Sequence, residues 1–384
     1  MHRLNILLVS LLFSVVSASV TPSIRVPIES YTGAKTGLHI VKLKSSSSSR
    51  TWTAKLGLKN AAEWENFNSF AAHLNVDDLE TLRMSPEVES ISEDGIVQTL
   101  ALITQTNAPW GVARLSSITA LSSKDTSMAN FNYTYDDSAG GCADIYIVDT
   151  GVKLEHHDFG GRATWGYPTT GTQTDANGHG THCAGTAAGL RYGVAKKARI
   201  IAVKVLNDSG SGSVSDIISG LNWIMSNVQK IGRPSVVNMS IGGSANTALD
   251  NAVTSMTSAG VHVVVAAGNS NADAGGFSPG RAPSVITVGG TTINDVTMST
   301  SNYGAVVDIW APGQNIISDW ISGLDSTNII SGTSSSAAHV SGLIAYLLCK
   351  DGSITPAQMS TKLKGYCIPL SPSDSLFGSQ CAVK

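Results

Sequence analysis

Through the larger part of the chain, short apolar runs alternate with stretches whose apolar residues recur at helical spacing. The runs are Ile145–Val148, Ile200–Val205, Val236–Met239, Val261–Ala266, Val285–Val288 and Val307–Trp310. They are almost unbroken in hydrophobicity, as strands buried on both faces should be. Between them, Ile217, Ile218, Leu221, Ile224, Met225 and Val228 predict one helix, and Leu249, Ala252, Val253 and Met256 another. Strands alternating with helices predict an α/β fold, a doubly wound and mostly parallel sheet flanked by helices with right-handed crossovers. Ligand sites of such sheets lie at the carboxyl ends of strands. That rule selects Asp149 and Asn269, which each follow an apolar run.

The pattern before residue 103 is different. Residues 20–102 carry more charge, with strand-like segments Leu38–Leu43 and Val88–Ile91, a helix-like stretch Asn60–Leu74 and the run Asp77–Arg83. They predict a small α+β module, with Ser45–Ser49 as a flexible loop. Ahead of it, His2 and Arg3 precede the apolar run Leu4–Val16 and the small-residue triplet Val16-Ser17-Ala18. This is the pattern of a secretory signal peptide cleaved near Ala18, and the run is shorter than the ~20 residues of a spanning helix. The expected boundaries are 1–18 for the signal, 19–102 for the module and 103–384 for the α/β domain.

Composition narrows the function classes. The 384 residues carry a formal net charge of -3, with 42% apolar and 14% charged residues. Nothing in that balance points to nucleic acid or an acidic membrane surface. Five cysteines are too few for a disulfide scaffold, which leaves stabilisation to a large core.

Three segments carry candidate chemistry: Asp149-Thr150-Gly151, Asn177-Gly178-His179-Gly180-Thr181-His182, and Ser331-Gly332-Thr333-Ser334-Ser335-Ser336 leading into the apolar stretch Ala337–Leu348. Peptide hydrolysis by serine requires a nucleophile, a base that takes its proton and a group that orients the base. Ser334, His179 and Asp149 supply those three types. Gly332 at a helix start places backbone N–H groups beside a developing oxyanion, and Asn269 can add a side-chain donor. Spacing alone leaves His182 and the neighbouring serines equally eligible.

Together these segments resemble the subtilisin-like serine protease family, and within it the proteinase K-like branch, in the order Asp, His, Asn, Ser. The resemblance covers most of residues 103–350 and includes Thr106-Asn107-Ala108-Pro109-Trp110-Gly111, Tyr192-Gly193-Val194-Ala195-Lys196-Lys197 and Ser301-Asn302-Tyr303-Gly304. It implies that His179 is the catalytic histidine, with Asp149, Ser334 and Asn269 completing the site. It implies that Ser209–Ser213 (Ser209, Gly210, Ser211, Gly212) and Ser240–Gly243 (Ser240, Ile241, Gly242, Gly243) pair with an extended peptide. β-Augmentation of that kind leaves selectivity to side-chain pockets. Gly242, Gly243, Ala266, Ala267 and Gly268 form a roomy uncharged primary pocket on this reading, suited to aromatic and aliphatic residues. Residues 19–102 become a ferredoxin-like inhibitory propeptide, released near Leu102–Ile103, and the mature enzyme an extracellular monomer without a catalytic cofactor. A structural calcium ion is implied at Asp308 and the carbonyls of Pro283 and Val285, oxygen donors that suit the ion.

The cysteines depart from the branch. Cys183 corresponds to its unpaired buried thiol, whereas Cys142, Cys349, Cys367 and Cys381 fall away from its usual bridges, and one bridge is expected within the Cys349–Cys381 tail. Asn132-Tyr133-Thr134, Asn207-Asp208-Ser209 and Asn238-Met239-Ser240 match the glycosylation pattern, the last in a predicted buried strand. The helix start also departs: Ser335-Ser336-Ala337-Ala338-His339 stands where the family has Met-Ala-Thr-Pro-His. A rival reading is therefore a catalytically impaired member used as a binding protein; an aminopeptidase-type exopeptidase would need a feature blocking the cleft, and none is seen. Without a thioether beside the nucleophile, activity should survive mild peroxide better than in a methionine-bearing relative. Equal inactivation rates in a side-by-side time course would refute this.

Overall fold

The computed structural model describes residues 25–32, 34–96, 102–127, 129–169, 171–369 and 381–383, with the side chains of 367–369 and 381–383 excepted. The expected signal peptide lies outside the described residues. The chain divides into two compact units, Met1–Gln98 and Thr99–Lys384.

In the first unit, strands Ile28–Glu29 (β1), Lys35–Leu43 (β2), Ala62–Trp64 (β3), Ser69–Ala72 (β4) and Val88–Gly95 (β5) form one sheet in the order β1-β5-β2-β4-β3. Helices Ser49–Lys55 (α1) and Val76–Arg83 (α2) accompany it. Val41, Leu43, Trp52, Phe70, Leu82, Val88 and Ile91 make its core. Two expectations are corrected. Asn60–Leu74 is not an α-helix; it holds the β3–β4 hairpin, joined by a 3-10 turn at Glu65–Phe67, in which Ala62 faces Ala71 and Trp64 faces Ser69. Asn68 makes the turn at φ 47°, a left-handed conformation that asparagine tolerates, and its amide donates to the Leu43 and Lys44 carbonyls. Pairing of β4 with β2 buries Phe70 completely, so tertiary burial overrides the helical spacing. The serine run also does more than loop, since Ser48 is the N-cap of α1 and Ser49 its first residue.

The second unit opens with Leu102–Ala108 (β6), antiparallel to Phe131–Asp136 (β7), and the short helix Trp110–Arg114 (α3) between them. The expected processing point lies at the first residues of β6. A nine-stranded sheet follows. Its strands are Asp144–Asp149 (β8), Ala163–Pro168 (β9), Arg199–Lys204 (β10), Ser235–Met239 (β11), His262–Ala266 (β13), Ile286–Thr291 (β15), Ile309–Pro312 (β16), Cys367–Pro369 (β19) and Cys381–Val383 (β20). The order is β19-β20-β16-β15-β13-β11-β8-β10-β9, parallel except for β19 against β20. Two small antiparallel ladders complete the strands: Gly243–Ser244 (β12) with Phe277–Ser278 (β14), and Ile316–Asp319 (β17) with Thr327–Ile330 (β18).

Each predicted apolar run becomes a strand, with its ends shifted by three residues or fewer. Every residue of β8 and β11 is buried, as helices on both faces require. His179–Ala188 (α4) and Thr333–Lys350 (α7) cover one face; Val214–Ile231 (α5) and Thr247–Ser258 (α6) cover the other; Pro356–Gly365 (α8) lies near the β20 edge. α5 starts where the Ser213 hydroxyl accepts the Asp216 N–H at 3.1 Å and ends at Gly232, φ 67°, the cap and stop signals of a surface helix. α7 is instead buried along most of its length. It packs against α4 so closely that a Cβ on Gly342 would lie 2.4 Å from the Ala187 carbonyl oxygen.

The cysteine expectation is corrected in part. Cys349, at the end of α7, is bridged to Cys142 just ahead of β8, across 207 residues of sequence. Sequence separation is a weak barrier because loop-closure entropy grows only logarithmically. The Cys367 and Cys381 side chains lie outside the described residues. Cys183 is a buried free thiol, as expected. In a Ser334→Ala background, which prevents self-digestion, replacing both Cys142 and Cys349 by alanine should cost about 2–5 kcal/mol. Calorimetry should show a clear fall in Tm, and an unchanged Tm would refute a stabilising bridge.

Candidate active site

The site is built at the carboxyl end of β8, where the chain order of the sheet reverses. Asp149 is the last residue of β8 and is fully buried. A buried carboxylate must be hydrogen-bonded. Its Oδ1 accepts the Thr150 N–H at 2.7 Å, and His179 Nδ1 lies 2.8 and 2.9 Å from its two oxygens. The carboxylate beside it is the main cause that raises the His179 pKa above the usual imidazole value, against the opposing effect of burial. Nδ1 is thereby fixed as a protonated donor, and Nε2 is left to act as a base.

His179 is the first residue of α4, and α4 can start there only because its second residue has no side chain. A Cβ on Gly180 would lie 2.1 Å from the Gly151 carbonyl oxygen. The loop entering the helix is tied by Asp175, a buried residue that spacing did not single out. Its Oδ1 accepts from Thr150 Oγ1 and from the N–H groups of Asn177 and Gly178; its Oδ2 accepts the Thr181 N–H and hydroxyl. The signal available in sequence was a short acidic residue just ahead of a helix start. His182 faces the other way. It is buried, its Nε2 is 3.0 Å from the Ile316 carbonyl, and burial lowers its pKa to about 4. Geometry therefore separates the two histidines that spacing left open.

Ser334 is the second residue of α7, after Gly332 as N-cap. Its hydroxyl donates to the Ser240 carbonyl at 3.2 Å rather than to His179. Catalytic hydrogen bonds in ligand-free sites often tighten only when substrate arrives. The departing segment does not disturb the helix: Ser335 and Ser336 are buried, and Ser336 donates to the Ala311 and Pro312 carbonyls. Asn269 stands beside this helix end, with its Oδ1 accepting the Thr333 N–H at 2.9 Å. That bond fixes the amide so that its NH₂ is the group left to donate outward. Asn302, also missed from spacing, ties the Asn269 loop by donating to the Ala267 carbonyl and accepting the Ser270 and Ala272 N–H groups.

Two clefts flank the constellation. One of about 530 Å³ is lined by His179, Gly210–Gly212, Ser240–Ser244, Leu206, Val214, Ile217 and Leu249, among others. The second, about 230 Å³, is bounded by Ser240–Ser244, Ala266–Ser270, Phe277, Ser278, Gly280, Thr333 and Ser334. Neither lining contains Asp, Glu, Lys or Arg. All the expected cleft residues line these clefts except Ser209, which sits in the adjacent turn with its N–H on Asn207 Oδ1, and Ser213, the N-cap of α5.

The calcium set is a different matter. Asp308 Oδ2 accepts the Thr287 N–H at 2.9 Å, and Oδ1 holds the Lys364 ammonium at 2.8 Å. Pro283 and Val285 line a separate surface hollow with residues of the α8 start. One carboxylate already neutralised by lysine does not suit a hard dication that prefers several anionic or carbonyl oxygens. Among the described residues, the only grouping of three metal-capable side chains is Asp149, His179 and Cys183. Burial holds the Cys183 thiol well above its usual pKa, which leaves it an apolar filler beneath the histidine.

Activity that needs neutral His179 should rise with pH through a pKa held up by Asp149. In an Asp149→Asn variant the acid limb of kcat/KM should move to lower pH, with kcat reduced about 10⁴-fold. A pH–rate profile whose acid limb does not move would contradict the pairing.

Residues 143–365 match the subtilase family of peptidases, and residues 38–100 match the peptidase inhibitor I9 family. Over 327 residues the chain is 45% identical to the alkaline serine protease ver112 of Corniculantispora psalliotae, covering 82% of this chain and 81% of that one. It is also 45% identical over 308 residues to the subtilisin-like serine protease pepC of Aspergillus niger, covering 76% of this chain but only 57% of the relative's length. Among solved structures, a cold adapted subtilisin-like serine proteinase superposes with a TM-score of 0.66 at 41% identity, over 72% of this chain and 98% of that one. The chain belongs to the subtilase family of serine peptidases, with a peptidase inhibitor I9 domain ahead of the peptidase domain.

Proposed function

We propose that this chain is the precursor of a secreted serine endopeptidase with broad specificity, preferring aromatic and aliphatic residues before the cut. The observation that carries the reading is the paired contact of His179 Nδ1 with the buried Asp149 carboxylate, beside a helix start that presents Ser334. On this reading His179 Nε2 takes the Ser334 hydroxyl proton as the oxygen attacks the scissile carbonyl. The imidazolium forms against Asp149, and the oxyanion is met by the Asn269 amide and the Ser334 backbone N–H. His179 then returns the proton to the leaving amine, which departs and leaves an acyl-enzyme. Water, activated by the same base, releases the acid product.

The uncharged linings of the two clefts favour apolar side chains over basic or acidic ones. The I9 match supports residues 19–102 as an intramolecular inhibitor removed near Leu102–Ile103 by self-processing. Exposed Asn132 and Asn207 are the proposed glycan acceptors, whereas Asn238 is buried. A catalytically impaired binding protein finds no support in the intact Asp149–His179 contact.

A serine-directed phosphonofluoridate should label the secreted protein once, on Ser334, in a species whose intact mass begins near Ile103. The Ser334→Ala protein should stay unlabelled and unprocessed. Lack of label on the parent would favour the binding-protein reading. A peptide-library digest should show internal cuts after apolar residues, and a strong preference for Arg or Lys would sink the pocket assignment.

A further inference from the structure

Behind the nucleophile runs a line of buried polar side chains that the proton transfers above do not use. Ser341 in α7 is fully buried, and its hydroxyl lies 3.0 Å from Asn238 Oδ1, with the Ala337 carbonyl at 2.9 Å as a second acceptor. Asn238 in β11 is fully buried too, and its Nδ2 donates to Ser240 Oγ at 2.9 Å. Ser240 Oγ donates in turn to the Ser334 carbonyl at 2.9 Å, while the Ser240 carbonyl accepts from Ser334 Oγ.

Ser240 thus grips the nucleophile residue at both its carbonyl and its hydroxyl, and Asn238 is what orients Ser240. The chemistry demands an amide there. The residue must accept from one hydroxyl and donate to another, which neither a carboxylate nor an alkyl side chain does. Its neighbours Val236, Val237 and Met239 are apolar and equally buried. A strand residue needed only for packing would avoid the cost of burying an amide. A fully connected buried network instead holds a single geometry.

We propose that Asn238, fixed by Ser341, is a positioning residue for the nucleophile. Through Ser240 it sets the distance from Ser334 to His179 and to Asn269. The inference rests on the serine peptidase reading, and the test separates the two. Processed parent, Asn238→Leu, Asn238→Ser and Ser341→Ala enzymes are compared by burst titration of active sites, steady-state kinetics on one peptide amide, and Tm. Misplacement by a fraction of an ångström to 1 Å costs up to about 10²-fold. Asn238→Leu should therefore lose about 10- to 100-fold in kcat per titrated site, with KM within about twofold. Asn238→Ser keeps a donor and an acceptor and should recover most of that loss. Ser341→Ala leaves β11 untouched and should lose about three- to tenfold in kcat per site, which keeps the test alive should Asn238→Leu fail to fold. A purely structural role would lower Tm and the number of titratable sites but leave kcat per site unchanged, and that result overturns the proposal. A parent without a burst would sink the peptidase reading itself.

Discussion

The buried carboxylate of Asp149 constrains everything around it. A charge taken out of water at the end of β8 has to be met by donors, and it is met by the Thr150 N–H and the imidazole of His179. That requirement fixes where α4 begins, because the imidazole must come to the carboxylate. It forces a glycine after the histidine, where the Gly151 carbonyl leaves no room for a Cβ. It also recruits a second buried carboxylate, Asp175, whose five hydrogen bonds hold the loop that delivers the histidine. The same charge that demands these contacts raises the basicity of His179, so the structural need and the chemical use coincide.

Ser334 is held by different physics. α7 is an interior helix, buried on nearly all sides and pressed against α4 through small residues. In its first turn only Ser334 is partly exposed, which puts the Ser334 hydroxyl at the N-terminal, positive end of the helix. Asn269 is bound to that turn by the Thr333 N–H, and Ser240 by the Ser334 carbonyl. Ser334, Asn269 and Ser240 are therefore joined through one helix start. Serines at 335 and 336 fit because their side chains turn inward, where Ser336 finds carbonyls of β16.

Away from the site, charge is used locally. Asp308, the residue a calcium ion would need, is paired with Lys364 from α8. Near the far end of β8, Asp144 is fully buried and is met by both Arg199 and Arg233. The walls of the two clefts beside Ser334 and His179 have no such groups.

The sequence by itself determined the strands of the main sheet, because burial on both faces writes unbroken apolar runs that need no knowledge of partners. It also determined the residue types of the site, since hydrolysis by serine admits few alternatives, and the family resemblance chose His179 over His182. Tertiary structure decided the rest. Asn60–Leu74 became a hairpin because pairing with β2 buries Phe70, a gain that local spacing does not record. Cys349 found Cys142 because α7 crosses the core and ends beside the start of β8, a proximity 207 residues apart in sequence. Asp175, Asn302 and Asn238 show their roles only through their hydrogen-bond partners. Periodicity reports which face of an element is buried; which polar group meets which is settled only once those faces are packed.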